Sequence, residues 1–212
     1  LHSLRRRQRQ MCIRDRATIA PGSCDVTLPT ASLGWDVDPD SIKNHLYTDL
    51  PAQLLTINVN CPGKMMFAVK AVDNNTTGLA LAGPLPSMTG NYFRMKSLSE
   101  GISPTAGYSI KALTAGSSAD QAKASGMVTF TNGIWSEQPD NADYAYFHTS
   151  IIGKDYALDM TTSEGENKYL RSSATNKTYA IEVQPWIAPS PEGTLGSAIE
   201  YSGSTTFEVI YI

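Results

Sequence analysis

Charge, histidine and cysteine are all scarce in this chain. Only 17% of its 212 residues are Asp, Glu, Lys or Arg, and it has three histidines and three cysteines. Scattered histidines and so few cysteines cannot assemble the four ligands that a structural zinc site usually needs. No apolar run approaches the roughly 18 residues of a membrane-spanning helix, which excludes a helical span. No Gly-x-Gly-x-x-Gly or Walker-type loop is present to cradle a nucleotide, and no Gly-x-Ser-x-Gly elbow to present a serine nucleophile. What is plentiful is Ser (21), Thr (20), Gly (16) and Pro (12). The 41% hydrophobic content is enough to offset the entropy of ordering a core, so the chain is not of the disordered class. The composition fits a loop-punctuated β-protein of the secreted kind better than a cytosolic enzyme.

The net charge of −3 conceals an asymmetry. Six of the eight arginines (Arg5, Arg6, Arg7, Arg9, Arg14 and Arg16) lie in the first sixteen residues, with Asp15 the only acid there. Without that head, eleven basic residues face nineteen acidic ones, a net charge of −8. An acidic body lacks the basic footprint of a nucleic-acid or anionic-lipid binder. The head itself has no apolar stretch for a signal peptide and no hydrophobic face for a presequence. Its segment Met11-Cys12-Ile13-Arg14-Asp15-Arg16 resembles the peptide made when sequencing-adapter DNA is translated at a ragged fragment end. Residues 1–16 are therefore expected to be non-native, with the true start and any signal peptide missing; a genuine basic tail is the alternative. Residues 17–212 are expected to form one domain.

Strand signals dominate that body. Leu55, Ile57, Val59 and Cys61 share one face of a segment whose other face carries Thr56, Asn58 and Asn60, the period of a half-buried strand. The Pro62-Gly63 turn and the apolar run 65–72 then read as a hairpin. Further strands are expected at 92–95, 108–113, 127–130, 145–152, 156–160, 178–183 and 205–212. One short helix is expected at 119–124, capped by Ser118 and ended by Gly126, and a weaker helical turn after Pro39 using Ile42 and Leu46. The fold class is all-β, a sandwich with one or two short helices.

Chemistry-bearing patterns are few. Asp36, Asp38 and Asp40 are spaced like the start of a calcium loop. However, Ser41 stands at the sixth position and Tyr47 at the twelfth, where Gly and Glu belong, so the segment reads as a solvated acidic turn. Glu164 and Glu166 read as a loop tip. No enzyme, metal or cofactor is expected. Cys24 follows Pro21-Gly22-Ser23 and Cys61 precedes Pro62-Gly63, so both lie at strand ends. That placement suits a disulfide, which would put the protein outside the cytoplasm; two buried free thiols are the alternative. Trp135, Tyr144, Tyr146 and Trp186, with Phe147, are candidates for a sugar-stacking platform, or else core aromatics.

In the closing segment Phe207, Val209 and Tyr211 point one way, Thr206 and Glu208 the other. This is a final core strand or an edge strand kept for a partner. The segments Thr18–Cys24, Gly34–Val37 with Ile42, Leu55–Cys61, Val69–Asn74 and Gly203–Ile212 together resemble the chaperone–usher pilin subunits of Gram-negative bacteria. Within them they are most similar to a fimbrial-like family of unknown function. The resemblance brackets residues 17–75 and 178–212; the middle contributes only its β-rich texture. It implies an incomplete immunoglobulin-like sandwich completed by a donor strand, first from a periplasmic chaperone and then from a neighbouring subunit at an outer-membrane usher. It also implies a periplasmic passage and a final place on the cell surface. By position, Cys24 and Cys61 match the family disulfide. Thr205, Phe207, Val209, Tyr211 and the Ile212 carboxylate match the interaction strand. One departure is Ile199, where pilins commonly carry glycine; the nearest glycines are Gly196 and Gly203. The competing expectation is a secreted, lectin-like carbohydrate-binding module, and a fimbrial subunit can itself bind a host or surface glycan.

Overall fold

Alternation of burial builds the sheets. In β3 (Gln53–Met65), Ile57, Val59 and Cys61 are buried while Asn60 faces solvent. In β12 (Ala174–Ile187), Lys177, Tyr179, Ile181 and Val183 repeat the same period. The computed structural model describes residues 23–29, 32–75, 82–86, 91–98, 105–137, 143–148, 156–162, 171–190 and 200–211.

These strands form an all-β, two-sheet sandwich of immunoglobulin-like kind. In the larger sheet β1 (Asp25–Thr27), β3, β12, β6 (Ala106–Ala119), β5 (Phe93–Ser97) and β13 (Tyr201–Gly203) lie side by side. Short β2 (Thr48–Asp49) adds to β12, while β7 (Ala122–Lys123) and β10 (Tyr144–Tyr146) add to β6. The smaller sheet runs β14 (Thr205–Tyr211), β4 (Phe67–Asp73), β11 (Ala157–Thr161), β8 (Gly126–Thr131) and β9 (Ile134–Glu137). The core between them includes Ile57, Val69, Phe93, Leu158, Met160 and Tyr179, all fully buried.

Two local expectations are corrected. Residues 65–72 do not fold back on β3: β3 continues through Pro62-Gly63 to Met65, and the chain then crosses to the other sheet past the exposed Met66. Proline lacks the N–H that a ladder needs, and the β3–β12 register shifts where Pro62 falls, between Asn60 and Met65. The helix at 119–124 is likewise absent. Asp120 and Gln121 take φ of 46° and 71°, closing a two-residue hairpin in which Ala119 faces Ala122. Asp120 tolerates that conformation because its carboxylate accepts the Thr175 and Asn176 N–H groups at 3.0 and 2.8 Å. After Pro39 the chain makes one 3₁₀ turn, Pro39–Ser41; no α-helix occurs among the described residues.

The smaller sheet loosens in its middle, where β4 and β11 share a single partner pair, Val69 and Leu158. Lys177 reaches across from the larger sheet to this place. Its Nζ donates to the Phe67 carbonyl at 2.9 Å and lies 2.5 Å from Asp159 Oδ1. Asp159 also accepts the Met160 N–H at 2.8 Å and Arg171 Nε at 2.9 Å. Both the lysine and the aspartate side chains are fully buried. Burial pushes the Asp159 carboxyl up against the pull of Lys177, and pushes the Lys177 amine down, with Arg171 acting in the same direction.

Asp159→Ala leaves Lys177 and Arg171 facing each other without a counter-charge and is expected to cost roughly 3–5 kcal/mol. Lys177→Met leaves the Arg171–Asp159 pair intact and should cost clearly less. Urea unfolding of the two variants beside wild type checks the order.

Candidate functional site

The C-terminal strand is placed by a change of sheet. β13 lies in the larger sheet and β14 in the smaller, with only Ser204 between them. A Cβ on Gly203 would lie 2.6 Å from the Tyr108 ring, so only glycine fits this corner. Tyr108 Oη in turn shares a 2.6 Å hydrogen bond with Thr205 Oγ1, and Asn74 Nδ2 donates to Ser204 Oγ and Thr206 Oγ1. Ile199 lies outside the described residues.

From this anchor β14 runs antiparallel to β4 along its whole length, Thr205 opposite Asp73 and Tyr211 opposite Phe67. Among the described strands it pairs with no other, so it forms an edge of the smaller sheet. Phe207 and Val209 are half-buried and pack on the core, the Phe207 ring edge-on to Phe147 at 5.7 Å. Tyr211 is 41% exposed, and its hydroxyl accepts the Cys24 N–H at 2.7 Å. Ile212 lies outside the described residues.

That hydrogen bond leads to the facing edge of the larger sheet. β1 is three residues long, pairs Asp25 with Asn60, Val26 with Val59 and Thr27 with Asn58, and is preceded by the Cys24–Cys61 disulfide. Cys24, Val26, Leu28 and Leu33 are half-buried against the core on this side. The seam between β1 and β14 thus sets backbone N–H and C=O groups with no strand partner among the described residues beside half-buried apolar side chains. Such an edge is a template for an added strand.

The candidate aromatics separate into different places. Trp186 is sealed, 1% exposed, between the edges of Tyr47 and Tyr92 at 5.3 Å each, so burial removes it as a stacking face. Trp135 lies on β9 in the other sheet, with the Arg171 guanidinium 3.8 Å above its ring. Tyr144 and Tyr146 do sit together on β10, edge to face at 5.3 Å, but Lys111 lies over both rings and is itself paired with Glu182. Burial, with Tyr144 beside it, pushes the Tyr146 hydroxyl up to about 12. The acidic turn is engaged internally: Asp38 Oδ1 accepts the Asp40 N–H at 3.0 Å. Among the described residues no group of three or more His, Cys, Asp or Glu is placed to hold a metal ion. No helix among the described residues is long and apolar enough to cross a membrane.

The sequence reading passed over the buried cluster of Asp159, Arg171, Lys177 and Tyr179. Its one signal was a lysine at an inward position, since Lys177 shares the period of Tyr179 and Ile181.

The 37-residue separation of Cys24 and Cys61 makes the disulfide worth roughly 3–4 kcal/mol in the chain-entropy model. Cys24→Ser with Cys61→Ser should lower stability by that amount in urea unfolding, and native protein should take up no thiol label at either position until reduced. A second expectation concerns His148, stacked on Tyr156 at 3.9 Å, whose imidazole burial holds down to about 4 from 6.5. Between those values the unfolded chain binds a proton that the folded one does not. Stability is therefore unaffected by this group above about pH 6.5 and falls as pH drops toward 4. Comparing urea midpoints at neutral pH and near pH 5 should show this loss, and His148→Phe, which keeps the stacked ring, should diminish it.

No family model matches this sequence, and no curated protein matches it.

Proposed function

We propose that this chain is a structural subunit of a bacterial surface fimbria, assembled by strand addition at β14. The observation carrying this reading is the edge position of β14, with Phe207 and Val209 only half-covered and a three-residue strand as the facing edge. A donor strand laid along β14 would take up the backbone groups that point away from β4 and bury alternate side chains against Phe207, Val209 and Val26. The partners on this reading are a periplasmic chaperone, an outer-membrane usher and neighbouring subunits, with the protein in the periplasm before it reaches the surface. The Cys24–Cys61 disulfide supports an oxidising compartment. The activity is assembly, not catalysis. The lectin-like alternative has lost its shared aromatic platform, because Trp186 is buried and Trp135 lies on the opposite sheet from Tyr144 and Tyr146.

Exported to a bacterial periplasm together with a fimbrial chaperone, the wild-type chain should co-purify with it. Phe207→Asp places a charge on the inward side of β14 and should abolish the complex, whereas Glu208→Lys on the outward side should preserve it. Hydrogen exchange should show the β14 amides that point away from β4 becoming protected in the complex. Equal recovery of the Phe207→Asp and wild-type complexes would count against strand addition at this edge.

A further inference from the structure

The Asp159–Arg171–Lys177 cluster holds two cationic side chains around one carboxylate, in a place where both Lys177 and Asp159 have no solvent contact. The other polar groups on it are neutral: the Phe67 carbonyl, the Met160 N–H and the Tyr179 hydroxyl, 3.5 Å from Oδ1. A buried site relieves an excess positive charge by losing a proton, and the group that gives it up is the lysine, since a guanidinium does not. The electrically balanced arrangement is an Arg171–carboxylate pair beside an uncharged Lys177 amine, a nucleophile held against a carboxyl group. Burial, the largest influence, and Arg171 push the Lys177 amine toward that uncharged form, against the pull of Asp159 and the more distant Asp120.

We propose that Lys177 and Asp159 are joined by an isopeptide bond, a covalent amide linking β12 in one sheet to β11 in the other. The lone pair of Lys177 Nζ attacks Asp159 Cγ and the C–N bond forms. Electrons of the carbonyl move onto Oδ2, where Arg171 Nε at 2.9 Å stabilises the developing charge. One proton passes from the lysine nitrogen to Oδ1, and the proton that the ammonium gave up on reaching its uncharged form returns to the same oxygen, with the Tyr179 hydroxyl 3.5 Å away to relay it. The C–Oδ1 bond then breaks and water leaves, the carbonyl re-forming at Oδ2. Ammonium plus carboxylate becomes amide plus water, so charge balances and no oxidant, reductant or activating group is required.

Three features favour the condensation. The reacting groups are held at 2.5 Å, and such fixed geometry is worth effective concentrations of about 10⁵–10⁸ M over free reactants. The Phe67 carbonyl accepts one N–H and fixes the nitrogen. Arg171, which keeps its charge afterwards, already has the Trp135 face to rest on at 3.8 Å. This inference does not depend on the fimbrial reading, although a covalent tie between the sheets suits a protein that bears tension.

Intact-mass spectrometry of the folded, purified chain after disulfide reduction tests it. Wild type should be lighter than its sequence mass by one water, and Lys177→Met should have its full sequence mass. Asp159→Asn, which would expel ammonia instead, should converge on the mass of the cross-linked wild type. Proteolysis should yield one branched peptide containing both Asp159 and Lys177, with no tryptic cleavage after Lys177. Wild type remaining at full sequence mass after prolonged incubation at neutral pH would overturn the proposal. So would a lost water that maps to a cyclised aspartate with Lys177 still cleavable.

Discussion

Lys177 leaves β12 in one sheet and ends 2.5 Å from Asp159 on β11 in the other, and the arrangement of the smaller sheet follows from that contact. β4 and β11 are neighbours with a single partner pair, so backbone hydrogen bonding alone holds them together weakly. The lysine nitrogen compensates by bonding the Phe67 carbonyl on β4 and the Asp159 carboxylate on β11 simultaneously. An apolar side chain at position 177 would fill the space without making either bond. The desolvation cost of burying these ions is the reason such clusters are rare, and it makes this one a defining feature of the fold.

The two open margins of the sandwich are managed differently. On one side the Cys24–Cys61 bond holds a strand too short to persist by its own ladder. Opposite it, β14 is long, firmly paired to β4 and anchored at its start by Tyr108, Asn74 and the close approach at Gly203. The result is an anchored strand with one side unpaired among the described strands, a geometry that favours docking over fraying. A strand that merely ended the fold would need no such anchoring, and this contrast supports the assembly reading.

Much of this was legible from residue order. Period-two alternation located β3 and β14, and apolar runs set between turn residues located β4, β8 and β11. Other elements carried local signals that went unused or pointed the wrong way. Asn132-Gly133, with φ of 52° and 82°, closes the β8–β9 hairpin, and that dipeptide is a strong hairpin signal. Ala119–Ala124 read as helix from its Ser118 cap and Gly126 terminator, yet Asp120 has partners on β12, which no local pattern contains. Phe207 and Val209 were identifiable as inward positions of the last strand, whereas the burial of Trp186 by Tyr47 and Tyr92 depended on three distant segments meeting.

Residue order alone was enough for the class of structure and for the inward faces of β3 and β14, since these rest on local periodicity, while it left the state of Cys24 and Cys61 open between a disulfide and two thiols. The folded chain settled the rest: the Cys24–Cys61 bond, which strands share a sheet, that Pro62-Gly63 lies within a strand and not at a hairpin, and that Lys177 meets Asp159 and Arg171. Those outcomes depend on contacts between residues far apart in the chain. A buried charge is tolerated only where folding brings its partner to it, and no stretch of sequence carries that information alone.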